Sequence, residues 1–212
     1  NQYGIEKAKE ILAGLNSIPS ITVRVNSLHW ETEDIYKKLK DLNYNVEKGV
    51  VCPTSIRIIK GSNVENNPLF SEGCITVQDE SAMLAVLALE VKKNQKLFDM
   101  CAAPGGKSTH MAELLQGTGS VLAWDLYDHK IDLILDNARR LGIKNIHAEV
   151  ADATKFNDKL QATFDGVLVD VPCSGLGIIR KKPEIKWTKT QKDMEALYHI
   201  QESILENACK YV

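Results

Sequence analysis

No two of the five cysteines, at positions 52, 74, 101, 173 and 209, stand close enough for a C-x-x-C pair. The five histidines, at 29, 110, 129, 147 and 199, form no short-range ligand pair either. Structural zinc sites are usually built from such pairs, so this spacing argues against a structural metal. An odd cysteine count argues against a disulfide framework and for reduced thiols. Long apolar runs are missing too: SAMLAVLALEV at 81–91 is too short to span a bilayer. The opening NQYGIEKAKE is polar and lacks the apolar core of a signal peptide. Basic residues are not in excess, with 26 Lys+Arg against 28 Asp+Glu and a net charge of −2, so any nucleic-acid surface must be local. The expectations are a cytoplasmic, monomeric protein with no metal and no membrane contact. What is present is ordinary for a globular chain: 212 residues, 44% hydrophobic and 25% charged, enough for one medium domain or two small ones.

Two styles of sequence meet near residue 75. In the first part, IEKAKEILAGLN places Ile5, Ala8, Ile11, Leu12 and Leu15 on one helical face. SITVRVN alternates, with Ile21, Val23 and Val25 on one side of a strand and Thr22 and Arg24 on the other. ETEDIYKKLKDLNY returns to helical spacing, SIRIIKG reads as a strand and GSNVENNPLF as a turn-rich loop. Residues 1–75 thus predict a small α+β module. Residues 76–212 alternate strand and helix. KLFDM, SVLAWD, NIHAEVAD and FDGVLVDV are four strands, the last apolar enough for burial on both faces. YDHKIDLILDNARRLG aligns Ile131, Leu135, Ala138 and Leu141 and stops at Gly142. The long final helix has Thr190 as N-cap and Asp193 completing a capping box. This order predicts an α/β domain: a parallel, Rossmann-like sheet with helices on both faces. It ends on a helix with no further strand, so the fourth strand is expected to form a sheet edge and the architecture to be incomplete at its C-terminus.

CAAPGGKST at 101–109 follows the first of those strands and opens a helix, where backbone N–H groups can approach a ligand. It is not a Walker A loop, because Cys101 stands where the first glycine belongs, and G-x-G-x-x-G fails because Lys107 follows Gly105 and Gly106. A turn for another nucleoside-bearing cofactor remains, beside the plainer reading of a tight turn with no ligand. Asp125 ends the second strand 20 residues after Gly105, where doubly wound folds often set an acid against ribose hydroxyls. Asp152 ends the third strand, placed to meet an adenine edge, and Asp170 ends the fourth. Any one of them could cap a loop. Three together line the sheet edge where such folds bind ligands. In DVPCSG, Pro172 forces an extended exit from the strand, so Cys173 is presented at that same edge.

DMCAAPGGKSTHMAELL, DVPCSG and IRKKPEIKW, together with TVRVN and GCITVQDESAML, resemble the Sun-type family of RNA cytosine-5 methyltransferases. The resemblance implies S-adenosylmethionine as cofactor and small-subunit ribosomal RNA as substrate. Cys101, Ala102, Ala103, Pro104, Gly105, Gly106 and Lys107 would hold the methionine end of the cofactor, Asp125 the ribose and Asp152 the adenine. Asp170 would sit beside the methyl donor and the cytosine edge. The chemistry needs a thiol: a thiolate adding to carbon 6 makes carbon 5 nucleophilic enough to take the methyl group, and a base then removes the carbon 5 proton. In this family the attacking cysteine belongs to a Thr-Cys pair, while the Pro-Cys cysteine, here Cys173, assists release of the methylated base. No Thr-Cys pair occurs in the sequence, and its expected position lies beyond Val212. The resemblance also makes the first module RNA-recognition-like, with Arg24 and Asn26 in its VRVN segment and Arg24 expected to contact RNA.

Other residues have plainer readings. Cys209, with apolar neighbours on the last helix, and Cys101 are expected to pack as small residues. Arg180, Lys181, Lys182 and Lys186 concentrate positive charge after the Cys173 loop; they are expected to meet RNA phosphates, with a solvated basic loop as the alternative. Trp187 is expected to pack rather than to stack on a base. Three competing functions follow from the same residues. A DNA cytosine-5 methyltransferase would use Cys173 directly, but nothing resembles a DNA target-recognition domain. An amino-group methyltransferase would carry an Asp/Asn-Pro-Pro-aromatic loop, not Val171 and Cys173 around one proline. A cofactor- and RNA-binding fragment without turnover would keep the pocket and lack the nucleophile.

Overall fold

The computed structural model describes residues 3–17 and 20–212, and in them two sheets stand in sequence. The first part holds α1 (Ile5–Leu15), β1 (Ile21–Val25), α2 (Thr32–Asp41), β2 (Asn45–Lys48), β3 (Ser55–Lys60), α3 (Pro68–Ser71) and β4 (Ile75–Val77). Its antiparallel sheet has the order β2-β3-β1-β4. β4 pairs with β1 through Val23↔Val77 and Val25↔Ile75, so this sheet runs two residues past the boundary expected at 75. β2, with polar ends at Asn45 and Lys48, and β4, of only three residues, are too short to announce themselves by alternation, and α3 begins inside the expected loop at 61–70, with Pro68 at its start and Asn67 as N-cap.

Two expectations for this module change. α1 forms, but none of its residues is buried, so the Ile5–Leu12 face meets solvent. β1 is central in its sheet and buried on both sides after Ile21: Val23 and Val25 pack on Ile35 and Leu39, while Thr22 and Arg24 are also shut from water. The second domain covers that other face.

The second part holds α4 (Glu80–Leu87), β5 (Lys96–Asp99), α5 (Gly106–Leu114), β6 (Ser120–Asp125), α6 (Asp128–Arg140), β7 (Ile146–Val150), β8 (Gly166–Leu168), α7 (Ile185–Thr188) and α8 (Gln191–Tyr211). Its sheet is parallel, ordered β7-β6-β5-β8. α4, α5 and α6 cover one face through Val86, Met111, Leu115, Ile131 and Ile134. On the opposite face, among the described residues, α8 packs Ile204, Ala208 and Tyr211 against Phe98, Met100 and Trp124. Tyr211 is fully buried, stacks on Phe156 and accepts a hydrogen bond at its hydroxyl from the Asn157 N–H. β8 is an edge strand of three residues and only Leu168 is fully buried, so it is not the doubly covered strand its composition suggested.

Local signals are obeyed closely. α6 ends in a Schellman motif at Gly142 (φ +70°): Gly142 N–H donates to Arg139 O and Ile143 N–H to Ala138 O. Thr190 and Asp193 form the reciprocal capping box that starts α8. The two parts are tied by side chains. Asn26 Nδ2 donates to Gly73 O and Leu141 O, and Arg140 from α6 donates to Phe70 O and Ile75 O. Glu80 of α4 accepts from the Val50 and Val51 N–H groups and the Ser55 hydroxyl.

Candidate active site

All strands of the second sheet point their C-terminal ends to one edge, as parallel pairing requires, and the loops leaving them form a cavity of about 510 Å³. That is within the range of small-ligand sites. Its lining includes Met100 and Cys101 after β5, Asp125–Tyr127 after β6, Ala151–Thr154 after β7 and Pro172 after β8, with Ile200 and Ile204 of α8 as the far wall.

The glycine turn is built from β5 outward. Ala102 N–H donates to Trp124 O at 2.8 Å, which holds the turn against β6, and Gly105 N–H closes it on Ala102 O at 2.7 Å. Gly105 has φ +99°, a backbone state that side chains disfavour, and its missing Cβ leaves room for Ile134. α5 then begins at Gly106. Ala103 N–H donates to Asp125 Oδ2 at 3.2 Å, so the turn and the second-strand acid are fixed to one another. Asp125 is buried, and Lys130 Nζ lies 3.4 Å from its Oδ1.

Asp152 caps its own loop, accepting from Thr154 N–H at 3.1 Å and the Thr154 hydroxyl at 2.6 Å. The Thr154 hydroxyl is the main cause holding its carboxyl below the ordinary value. The loop-capping reading is therefore correct for Asp152, and the same residue still lines the cavity. Asp170 is more exposed and meets Lys107 Nζ at 2.5 Å, joining the glycine turn to the loop that carries Cys173.

The thiols differ sharply. Cys173 is exposed beside Pro172, whose carbonyl accepts from Gln201 Nε2 of α8 at 2.7 Å. Burial, with Asp99 and Asp125 nearby, pushes the Cys101 thiol up to about 12, which makes it a poor nucleophile and supports its reading as a packing residue. Asp99, beneath the turn, is completely buried; burial raises its carboxyl to about 6 against a hydrogen bond from the Ser108 hydroxyl at 2.6 Å.

Of the residues expected to hold a cofactor, Cys101, Asp125 and Asp152 line the cavity, whereas Ala102, Ala103, Pro104, Gly105, Gly106, Lys107 and Asp170 do not; Cys173 is exposed next to Pro172, which does. Sequence reasoning missed Tyr127, Lys130, Ile200 and Ile204. Tyr127 and Lys130 could have been found by their closeness to Asp125, whereas the wall from α8 carries no local signal. Three residues are not where they were expected. Arg24 is fully buried in an ion pair with Glu113, so it cannot touch RNA. Cys209 is exposed on α8 rather than packed. Trp187 is 87% exposed on the short α7 and packs on nothing that shields it, leaving its ring free to stack. Among the basic residues, Lys181 binds Asp79 at 2.6 Å and Arg180 reaches the Ser17 hydroxyl at 3.2 Å, while Lys182 and Lys186 stay exposed. No group of three or more His, Cys, Asp or Glu among the described residues could hold a metal ion, and no helix of the structure is long and apolar enough to cross a membrane.

This arrangement fits a nucleoside-bearing cofactor. The cavity is apolar at Leu126, Ala153, Pro172 and Ile200, carries the acids Asp125 and Asp152, and is bounded at Cys101 by the start of the glycine turn. Comparison with known proteins places that geometry. Residues 86–212 match the family model described as 16S rRNA methyltransferase RsmB/F, and residues 1–65 match its ferredoxin-like domain. The chain is similar to the Bacillus subtilis (strain 168) protein named "Probable ribosomal RNA small subunit methyltransferase B", 40% identical over 99% of this chain and 47% of that protein. A crystal structure of PH0851 superposes with a TM-score of 0.92 at 31% identity, covering 98% of this chain and 47% of that one. A methyltransferase homologue from Pyrococcus horikoshii gives 0.83 at 26% identity, over 95% of this chain and 64% of its own. The chain thus spans about half the length of the curated relatives it matches, and it belongs to the RsmB/F family of 16S rRNA methyltransferases.

Proposed function

We propose that this chain is the cofactor-binding and substrate-presenting part of an S-adenosylmethionine-dependent RNA cytosine-5 methyltransferase acting on small-subunit ribosomal RNA. The observation that carries the reading is the meeting of three features at one sheet edge: the Asp125-anchored glycine turn, the Lys107–Asp170 pair and the exposed Cys173. When bound, S-adenosylmethionine supplies an electrophilic methyl group. Asp125 binds the ribose hydroxyls, Asp152 and the apolar wall hold the adenine, and the 101–107 turn takes the methionine end. Asp170, held by Lys107, faces the exocyclic amino group of the target cytosine, whose ring must be unstacked to enter. Cys173 assists departure of the methylated base after the attacking thiolate, which the resemblance assigns to a Thr-Cys pair, has added to carbon 6. Lys182, Lys186 and Trp187 contact the RNA strand.

The test is methyl transfer from labelled S-adenosylmethionine to unmodified small-subunit ribosomal RNA, with the labelled base identified. The chain is assayed beside the full-length Bacillus subtilis relative. Label on carbon 5 of cytosine with the relative, and cofactor binding with loss of turnover here, support the assignment of Cys173 as an assistant. Equal turnover by the chain alone makes Cys173 the attacking thiol. Label on any other atom overturns the cytosine carbon 5 reading.

A further inference from the structure

Arg24 lies on β1 of the small module, yet every donor of its guanidinium points into the methyltransferase domain or to the strand leading there. Nε donates to Glu113 Oε2 at 2.9 Å, and Nη2 to Glu113 Oε1 at 2.8 Å and the Thr109 hydroxyl at 3.1 Å. Nη1 donates to Gly106 O at 2.8 Å and to Gln78 Oε1. A guanidinium has five N–H donors, and all five are used here. Both members of the ion pair are shut from solvent, with side-chain exposures of 0% and 1%.

Three of the four groups contacted sit on α5: its first residue, a hydroxyl in its first turn and a carboxylate two turns on. Contacts spread along a helix fix both its rotation and its translation, which a single contact cannot do. The Thr109 hydroxyl also bonds back to Gly105 O at 2.8 Å, so the guanidinium reaches the glycine turn itself through one intermediary. Lys107, the second residue of α5, carries the ammonium that holds Asp170.

We infer that Arg24 is a positioning residue for the cofactor turn: by pinning the N-terminus of α5 it sets the 103–106 backbone and the Lys107–Asp170 pair. The small module is then a structural part of the cofactor site. This rests on the reading of the cavity as an S-adenosylmethionine site. A buried ion pair adds little net stability compared with apolar residues of similar volume, so stability and positioning can be separated experimentally. Lysine is no substitute, since a single ammonium cannot reach Glu113, Thr109 and Gly106 in one geometry.

The experiment measures the dissociation constant for S-adenosylmethionine by calorimetry, the melting temperature, and amide exchange at residues 105–108 for the 212-residue chain. Variants are R24K, the apolar pair R24M/E113M, and I58V, a core change in the small module away from α5. R24M/E113M is expected to melt near the unaltered chain but to bind the cofactor about tenfold more weakly, with faster exchange at the turn. R24K is expected to weaken binding severalfold, and I58V to lower the melting temperature with binding unchanged. Unchanged binding by folded R24M/E113M, or by R24K should the pair not fold, overturns the inference and leaves Arg24 a staple between modules. A chain that fails to bind S-adenosylmethionine before any substitution overturns the cofactor reading instead.

Discussion

Gly105 and Gly106 are adjacent in the same turn, and the structure predicts opposite outcomes when each is replaced by alanine. Gly105 has φ +99°, and a Cβ there lands 3.1 Å from the Ile134 Cα and 3.4 Å from its Cγ2. The left-handed backbone costs an alanine about 1–2 kcal/mol. The contact adds about 1–2 kcal/mol more, because it presses on the backbone of α6 rather than on a mobile side-chain tip. The sum, about 2–4 kcal/mol, lowers the melting temperature of a chain this size by roughly 5–15 °C. Gly106 has ordinary helical φ, and a Cβ there first meets Gln78 Nε2 at 3.8 Å, an unstrained contact. As the first residue of α5 it gains from alanine's helix propensity, by up to about 1 kcal/mol. G106A is therefore expected to melt at or slightly above the original temperature and to bind S-adenosylmethionine within about threefold of it, while G105A loses both stability and binding. Thermal melts followed by circular dichroism, with calorimetric titration of the cofactor, give the comparison. Equal losses in the two variants would refute the reasoning, because they would mean the turn tolerates no side chain for a reason other than φ and the Ile134 backbone.

Asp99 gives a pH prediction. Its folded carboxyl titrates near 6 against an ordinary value of 3.8, so the folded state holds the proton more tightly. The associated stability is fully present below pH 3.8 and is lost as pH rises through 6, which makes the chain about 1.4 kcal/mol more stable at this position at pH 5 than at pH 7. The difference in unfolding free energy between the unaltered chain and D99N, from urea titrations at both pH values, should change by that amount; a pH-independent difference contradicts the assignment. At the basic loop, K182E/K186E should weaken binding to single-stranded ribosomal RNA fragments by at least tenfold and reduce the logarithmic salt slope by about 1.4. K181E should also disturb the loop itself by breaking the contact to Asp79, so a uniform effect of all three lysines would count against the division between anchored and free charges. C173A should leave the cofactor dissociation constant unchanged within about twofold, since the Cys173 side chain is exposed and does not line the cavity; a larger loss would move the thiol into the cofactor site.

The parts of the fold that were readable were those decided within one turn or one strand. The capping box at Thr190–Asp193 and the stop at Gly142 depend on neighbours within a few residues, and each forms as its residues dictate. The acids at 125, 152 and 170 were readable because parallel strands deliver their C-terminal ends to a common edge. What failed was partnership across the chain. Alternation in TVRV places Arg24 opposite the core of its own module, and without knowledge of Glu113, 89 residues later, an exposed RNA contact was the natural expectation. The apolar face of α1 and the apolar neighbours of Cys209 misled in the reverse direction, because periodicity reports an amphipathic stripe and not whether anything covers it. The cavity wall from Ile200 and Ile204 was invisible for a third reason: two aliphatic residues four apart on a helix look the same facing a ligand or a core.

On the proposed function, the site divides into a cofactor half and an RNA half with different energetic character. On the cofactor side, the polar groups are already held: Asp125 by Ala103 N–H, Asp152 by Thr154, the glycine turn by Trp124 O and the start of α5 by Arg24. A ligand entering there meets groups that need little further ordering, so its contacts convert to affinity with small entropic loss. On the substrate side, Cys173, Lys182, Lys186 and Trp187 lie exposed on a segment held at few points, chiefly by Lys181 on Asp79 and Gln201 on Pro172 O. Long cationic side chains and a free indole must be immobilised when RNA arrives, at about 0.5–1.5 kcal/mol for each ordered side chain. The cofactor should therefore bind this chain without RNA, whereas RNA affinity should rise when that loop is pre-ordered. Lys107 and Asp170 sit on the seam between the two halves, one on the rigid turn and one on the exposed loop. That pair is where occupancy of the cofactor cavity can be felt by the loop that presents Cys173.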